Sequence, residues 1–185
     1  MVPLAALWLP GLLSAIIVFI VSSLMHTVLP YHQSDYRKLP QEETVLAALR
    51  SVGLTRGLYN FPHCTHKEMR TAAVQDKFKQ GPVGLLTIFP SGPVSMPKFL
   101  IQWFVYCLLI SFFVSYLAAH TLTHGAEYLV VFRVVATAAF LGYGLGTISN
   151  AIWKGQTWSM TLKEVFDGLV YGLLTAGTFG WLWPR

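Results

Sequence analysis

Charged residues are scarce in this sequence of 185 residues, in which 11% of the side chains are charged and 54% are hydrophobic. A soluble domain of ordinary composition has about 25% charged residues. The apolar residues collect in runs, and a helix needs about 20 of them to cross a bilayer. The composition therefore excludes an ordinary soluble domain. We attribute the net charge of +5 to membrane topology and anionic headgroups rather than to nucleic-acid binding.

Cysteine is rarer still, with two residues in the chain. Cys107 lies inside an apolar run and Cys64 in a polar region, so we expect no disulfide bond. No Lys or Arg precedes the first apolar run, and that run is longer than the apolar core of a signal peptide, which has about 7–15 residues. We therefore expect the first run to be a transmembrane helix and not a signal peptide. The sequence also lacks a nucleophile–base pair, a phosphate-binding glycine loop and a nucleotide motif. We therefore predict no catalytic residue and no bound cofactor, and we favour a protein that is not an enzyme.

Four apolar runs have the length of a transmembrane helix, at residues 4–29, 99–119, 128–148 and 162–183. Each must be helical, because lipid offers the backbone no hydrogen-bond partner. The predicted fold class is an all-α membrane protein, with residues 1–185 forming a single membrane domain. Its four transmembrane helices form a four-helix bundle. A partly helical polar loop of 69 residues, 30–98, separates the first helix from the second, and it is too long for a plain connection.

Two short helices are predicted within this loop. Residues 41–54 carry apolar side chains at helical spacing. Residues 66–79 follow Thr65 and Glu68, which form a capping-box pattern. Residues 81–97 contain four prolines and cannot form a regular helix. We expect this last segment to lie along the membrane interface or on the bundle, and a re-entrant loop is the alternative.

Basic residues near the ends of the runs are distributed unequally. The side of the bilayer that holds the long loop and the third loop has six of them, and the side that holds both termini has Arg185. The six are Arg37, Lys38, Lys79, Lys98, Lys154 and Lys163. The positive-inside rule then predicts a cytoplasmic long loop and external termini.

Histidine is the residue type that invites a metal hypothesis. Four of the six histidines and one cysteine lie at or beyond the membrane face of the long loop. The candidate metal ligands are His26, His32, His63, Cys64 and His66. Their side chains suit zinc or copper, but their spacing matches no standard metal motif. We favour solvated polar side chains at the start of a helix as the explanation of this cluster.

Two charges lie inside predicted spans, and both spans contain glycine pairs. Arg133 and Asp167 each stand near the start of a span, and antiparallel spans place these starts at opposite membrane faces. We therefore expect them not to pair. Small residues four apart let helices approach closely in lipid. We predict that the third and fourth spans pack through Gly142, Gly146, Gly168 and Gly172.

Three segments carry a resemblance to other sequences: residues 25–40, 81–84 and 173–184. In these segments the chain resembles a family of small four-helix bacterial inner-membrane proteins that has no assigned activity. The resemblance covers most of the chain. It implies a multi-pass protein of the bacterial inner (plasma) membrane, and it implies no activity, ligand or site residue.

Three functions are compatible with these observations. The first is a non-enzymatic accessory, assembly or structural membrane subunit. The second is a small membrane protein that handles copper or zinc. The third is a transporter or channel, which would need an oligomer because four spans with two peripheral charges form no obvious pore. The expected partners are the lipid bilayer and either another membrane protein or a second copy of the chain, and not nucleic acid.

Overall fold

The computed structural model describes residues 1–185 and is mostly helical, at 68%. Its helices and strands are α1 (Trp8–Thr27), α2 (Glu42–Val52), β1 (Gly57–Phe61), α3 (Ala72–Gln80), β2 (Gly84–Ile88), α4 (Met96–Thr121), α5 (Tyr128–Tyr143), α6 (Ile148–Lys154) and α7 (Trp158–Trp181). The chain forms two compact units. The helical unit comprises Met1–Asp35 and Ser95–Arg185, and the loop unit comprises Tyr36–Val94.

Three helical stretches are long and apolar enough to cross a membrane: Leu4–Thr27, Met96–Thr121 and Tyr128–Lys154. The expectation of a mostly helical chain with membrane-spanning helices is confirmed to this extent. The fourth predicted span corresponds to α7, which is a continuous helix of 24 residues. Its first half carries Lys163, Glu164 and Asp167, and these residues lower its hydropathy.

Helix α7 packs against both α5 and α1, and α4 packs against α1 and α5. One face of α7 is buried at positions three or four apart, among them Gly168, Tyr171, Thr175 and Phe179, as expected for a helix with neighbours along one side. The contact between α1 and α4 includes a polar pair, in which the Oγ atoms of Ser14 and Ser111 lie 3.1 Å apart.

Both chain termini lie at one end of the helical unit, beside the connection between α4 and α5. The backbone N–H of Val2 donates to the Ala119 carbonyl at 3.2 Å, and that of Gly125 donates to the Pro184 carbonyl at 2.9 Å. The Trp183 indole N–H donates to the Thr123 carbonyl at 3.0 Å. The last turn of α1 and the first turns of α7 therefore lie at the opposite end.

The third membrane-spanning stretch is not a single regular helix. α5 ends at Tyr143, and a short 3-10 turn, Leu145–Thr147, joins it to α6. The interruption begins at Gly144, whose Cα lies so close to Gly168 of α7 that a Cβ atom on either glycine would meet the other helix. The two helix backbones thus approach closely at a point where neither helix has a side chain.

The loop unit contains the two helices that the sequence predicted and a sheet that it did not. Helices α2 and α3 match the predicted helices within a few residues, except that a 3-10 turn, Glu68–Arg70, precedes α3. Strands β1 and β2 pair antiparallel, with Gly57 opposite Ile88 and Phe61 opposite Gly84. The apolar part of residues 81–97 therefore forms a strand that alternates its side chains, and the location of this segment at the membrane interface or on the bundle stays a prediction.

Candidate metal centre

The end of α1 and the turn after it bring two of the predicted metal ligands together. His26 lies in the last turn of α1, and Pro30 begins a short 3-10 turn, Pro30–His32. Because the residue before a proline avoids the helical conformation, Leu29 is extended, with φ −82° and ψ 132°. The chain turns back at this point. The imidazole rings of His26 and His32 stack with 4.3 Å between their centroids and 11° between their planes.

Asp167 of α7 completes a group of three side chains that could hold a metal ion. Its Oδ2 lies 2.8 Å from Nε2 of His32 and 3.8 Å from Nε2 of His26. The three ligand atoms all lie within 4.8 Å of one another. Two ligands bound at about 2.1 Å to one tetrahedral zinc ion lie about 3.4 Å apart. The two measured distances bracket that value, so modest side-chain rotations would place the three atoms around one ion.

Hydrogen bonds to the second nitrogen of each ring fix the orientation of both imidazoles. His26 Nδ1 lies 3.0 Å from the Ser22 carbonyl oxygen. A carbonyl only accepts, so Nδ1 carries a proton, and the neutral imidazole with that proton on Nδ1 has a lone pair on Nε2. His32 Nδ1 lies 2.6 Å from Oδ2 of Asp35. Metal-binding histidines characteristically donate their other N–H to a carbonyl or a carboxylate, and both kinds of partner are present here.

A lysine from α7 holds the outer carboxylate in place. Lys163 Nζ donates to Oδ1 of Asp35 at 2.5 Å, to the Tyr31 carbonyl at 2.5 Å and to Oγ of Ser34 at 2.9 Å. Lys163 stands one helical turn before Asp167, on the same face of α7. The helix therefore supplies both an inner ligand and the cation that positions the outer partner of His32.

Tyr31 contributes the remaining contact to the inner carboxylate, because its hydroxyl donates to Oδ1 of Asp167. Burial, together with the hydrogen bond to Asp167, raises the pKa of Tyr31, so this phenol stays a donor. Burial alone would raise the pKa of Asp35, but the hydrogen bonds from Lys163 and His32 outweigh it and hold that pKa below its usual range. Asp35 is therefore an anionic acceptor at neutral pH.

The same arrangement can be satisfied by a proton or by a metal ion. With no ion, both nitrogens of His32 face carboxylate oxygens, at 2.6 Å and 2.8 Å, and a doubly protonated imidazolium matches both. With an ion on Nε2, the neutral tautomer protonated at Nδ1 still donates to Asp35. The imidazolium and Lys163 together neutralise the two carboxylates, whereas a divalent ion with a neutral His32 leaves one positive charge in excess. Only the metal also uses the lone pair of His26.

The other predicted ligands have different surroundings in the loop unit. His63 and His66 are exposed and Cys64 is partly buried, and the three do not form a metal-binding group, since the group around Asp167 is the one that the chain contains. Thr65 and Glu68 form the predicted capping box: Glu68 Oε2 accepts from the Thr65 N–H at 2.9 Å and from its hydroxyl at 2.8 Å. These bonds lower the pKa of Glu68.

The four glycines expected in the contact between the third and fourth spans lie in different environments. A Cβ atom on Gly168 would meet the Gly144 backbone, and one on Gly172 would lie 3.2 Å from the Ala136 carbonyl of α5. Gly142 faces Ile110 of α4, and Gly146 has no atom within 4 Å of an added Cβ. In the structure the close approach of α5 and α7 therefore involves Gly144, Gly168 and Gly172.

Arg133 does not meet Asp167, in agreement with their predicted locations near opposite membrane faces. It is exposed on α5 and lines an apolar groove between α4 and α5 together with Ile110 and Leu141. No acidic side chain pairs with it, since the chain has no salt bridge to Arg133. Of the two charges that the sequence predicted inside spans, only Asp167 therefore belongs to the candidate metal centre.

Sequence reasoning identified His26 and His32 but missed four other members of the centre: Tyr31, Asp35, Lys163 and Asp167. A signal was available, because the predicted topology places all of them at the membrane face of the long loop.

No model of a protein family matches the sequence, and neither a curated protein nor a solved structure is similar to it. The centre is therefore interpreted from its own geometry.

Proposed function

We propose that the protein is a metal-handling integral membrane protein, which binds one divalent transition-metal ion through His26, His32 and Asp167. The observation that supports this most directly is the convergence of two imidazole nitrogens and a carboxylate within 4.8 Å, with both imidazoles already oriented by Ser22 and Asp35. Nitrogen and oxygen ligands suit Zn²⁺, and the absence of sulfur from the group disfavours Cu(I).

Three protein ligands leave a coordination position open on a tetrahedral ion. Structural zinc sites usually have four protein ligands, whereas sites that exchange a ligand or act on one have three. The side chain of His26 is 52% exposed, so the candidate centre is accessible from outside the helical unit. Such a site suits reversible capture of an ion or of a molecule that coordinates it, rather than permanent reinforcement of the fold.

We extend the proposal to four transmembrane helices, with α7 as the fourth. In support, α7 begins beside the turn that follows α1 and ends beside the connection between α4 and α5, so it covers the same distance as α1. Its polar first half is accounted for by the candidate centre. The unequal distribution of basic residues supports a cytoplasmic loop unit and external termini. The resemblance noted above supports the bacterial inner membrane.

Elemental analysis of the purified protein tests the metal proposal. Protein in mild detergent is stripped with a chelator, equilibrated with zinc chloride, desalted and assayed for bound zinc. We expect about one ion per chain in the parent, and substoichiometric zinc in His32→Ala and Asp167→Asn. His66→Ala, in the loop unit, is the matched control and should retain the ion. Equimolar zinc in His32→Ala and Asp167→Asn, or none in the parent, would refute the proposal.

A second candidate function, a non-enzymatic accessory or assembly subunit, is favoured by one observation on the loop unit. None of its side chains is buried, and large apolar ones such as Leu58, Phe89 and Val94 are 63%, 72% and 75% exposed. A surface of this kind suits coverage by another macromolecule. Copurification of a stoichiometric partner with the tagged protein from native membranes, lost on replacing Phe89 by Ser, would support this function.

A further inference from the structure

A cavity of about 360 Å³ lies among α1, α4, α5 and α7 beside the candidate metal centre. Four aromatic side chains line it: Trp103, Tyr106, Tyr143 and Tyr171. Its volume equals that of about a dozen water molecules, at about 30 Å³ each. The cavity therefore has room for a small organic ligand or for a lipid headgroup.

The four aromatic rings form a closed cycle of neighbours. The centroid of Trp103 lies 5.4 Å from that of Tyr106, and Tyr106 lies 5.9 Å from Tyr143. Tyr143 lies 5.6 Å from Tyr171, and Tyr171 lies 6.3 Å from Trp103. A cation is attracted by an aromatic ring within about 6 Å of its centroid, and cages of several rings are used to bind organic ammonium groups.

Three of the four aromatic polar groups already have partners. The Tyr106 hydroxyl donates to the Gly142 carbonyl at 2.7 Å, the Tyr143 hydroxyl to the Cys107 carbonyl at 3.4 Å, and the Trp103 indole N–H to Oγ of Ser22 at 2.8 Å. These bonds fix the rings in position. They also leave the hydroxyl of Tyr171 as the one aromatic polar group without a partner.

Two residues that line this cavity each have a buried polar atom with no hydrogen-bond partner in the protein: the hydroxyl of Tyr171 and Oε2 of Glu164. Tyr171 is only 3% exposed. An unpartnered buried polar group is unfavourable, and a charged one more so, which a bound hydrogen-bond donor would relieve. Glu164 and Tyr171 stand three residues before and four residues after Asp167 on α7, so all three share one face of the helix. Both residues thus belong to the same wall of the cavity.

The chemistry of this wall selects the ligand. A carboxylate oxygen can only accept a hydrogen bond, so the ligand must supply an N–H or an O–H group to Glu164. The aromatic cycle and the negative charge of Glu164 both favour a cation. We propose that the cavity binds a protonated primary or secondary amine, with its ammonium group donating to Glu164 and lying against the rings. A quaternary ammonium satisfies the rings but offers Glu164 no donor, so it should bind less tightly.

Two sources of this ammonium group fit the position of the cavity, which His26 of the last α1 turn also lines. One is a free small amine. The other is the headgroup of phosphatidylethanolamine, since an α1 end at the membrane face would place the cavity at headgroup depth. The inference does not depend on a bound metal, because Trp103, Glu164 and Tyr171 lie outside the metal-binding group. His26 and Asp167 are common to both sites, so zinc should weaken amine binding.

Calorimetric titration of chelator-treated protein in a maltoside detergent tests the proposal. The first probe is ethanolamine hydrochloride, compared with its neutral isostere ethylene glycol and with tetramethylammonium chloride. We expect ethanolamine to bind roughly tenfold or more tightly than either comparator, as a charge-assisted hydrogen bond implies. The second probe is dihexanoyl-phosphatidylethanolamine, compared with dihexanoyl-phosphatidylglycerol. Binding of either amine probe supports the proposal, and the preferred probe identifies the source.

Two variants connect binding to the cavity. Glu164→Gln removes the charge, and Tyr171→Phe removes one oxygen atom and keeps the ring. Each should weaken ethanolamine binding, Glu164→Gln by roughly tenfold or more. Tyr116→Phe, which changes an exposed tyrosine of α4, should have no effect. If Glu164→Gln does not fold, Tyr171→Phe still tests the site. Equal binding of ethylene glycol, no binding of either amine probe, or unchanged binding in both variants would overturn the inference.

The same titration separates this inference from the proposed function. Because it uses metal-free protein, a failure to bind zinc leaves its result unaffected. The His32→Ala variant, which should lose zinc, should keep its affinity for ethanolamine. Loss of ethanolamine binding in a folded His32→Ala variant would show that the amine requires the metal-binding group, whereas loss of zinc alone would show that amine binding is independent of it.

Discussion

Replacing Gly168 by alanine should destabilise the protein more than any other single methyl group added to a glycine of α7. A Cβ atom at this position would overlap the Cα of Gly144, lie 2.6 Å from its backbone nitrogen and lie 2.9 Å from the carbonyl carbon of Tyr143. All three are backbone atoms of the segment where α5 ends. A rotamer change cannot move them away, so the two helices have to separate.

The expected size follows from two opposing effects. Overpacking typically costs about 1–3 kcal/mol, and the upper end applies because backbone rather than side-chain atoms are displaced. Replacing a helical glycine by alanine recovers up to about 1 kcal/mol of helix propensity. We therefore expect Gly168→Ala to lose about 2 kcal/mol. For a chain of this length that corresponds to a fall of about 4–8 °C in the midpoint of thermal unfolding.

The buried thiol of Cys107, which has 0% exposure, provides the assay. In a Cys64→Ser background, a thiol-reactive dye labels Cys107 only as the helical unit opens, and labelling is followed during a thermal ramp in detergent. Gly146→Ala is the matched control, because an added Cβ there meets no atom within 4 Å. It should not lower the midpoint. A Gly168→Ala midpoint at or above that of Gly146→Ala would refute the close helix contact.

Three smaller predictions concern other parts of the chain. An impermeant thiol reagent should label Cys64 in inverted vesicles and not in intact cells, and the opposite result would reverse the topology. Thr65→Ala should raise the pKa of Glu68 part of the way toward its usual value, because the backbone N–H of residue 65, the larger cause of the lowering, still donates and only the hydroxyl bond is lost; the carboxyl chemical shift followed by NMR across acidic pH measures this, and an unchanged pKa would exclude the hydroxyl bond as a cause. Ser111→Ala should cost only about 0.6 kcal/mol, typical of an interhelical polar contact in a membrane protein, because Ser14 still donates to the Gly11 carbonyl; a loss as large as that of Gly168→Ala would show that the pair does more than join two helices.

The helices of the chain could be predicted because their signals are local. The apolar runs and the capping box at Thr65 determine structure within a few residues of themselves. Strands β1 and β2 could not be predicted in the same way, because each becomes a strand only by pairing with the other. An apolar run as short as residues 83–89 does not by itself distinguish a strand from a buried or interfacial segment.

The candidate metal centre shows the same limit. Its histidines are recognisable by residue type, but the carboxylate that joins them is 135 residues beyond His32. The sequence predicts that Asp167 is an unpaired membrane charge, because Arg133, the other charge inside a predicted span, lies near the opposite membrane face. The partners came instead from the turn after α1, whose path depends on Pro30 and on the packing of α1 against α7. The denser cluster in the sequence is that of His63, Cys64 and His66, and it does not form the candidate metal centre. Proximity along the chain therefore predicts the ligands less well than a shared membrane face does.

No side chain between Tyr36 and Val94 is buried, and this affects which amino-acid substitutions the protein tolerates. Every side chain that fills the interior belongs to the helical unit, where a difference of one methylene is felt by its neighbours. In the loop unit, side-chain volume is not constrained by a surrounding core. A library of all single substitutions, selected for stable insertion into the membrane, should therefore show two regimes. Positions such as Val135 and Phe179 should accept few replacements, whereas most positions of the loop unit should accept many, apart from glycines at left-handed backbone angles such as Gly53.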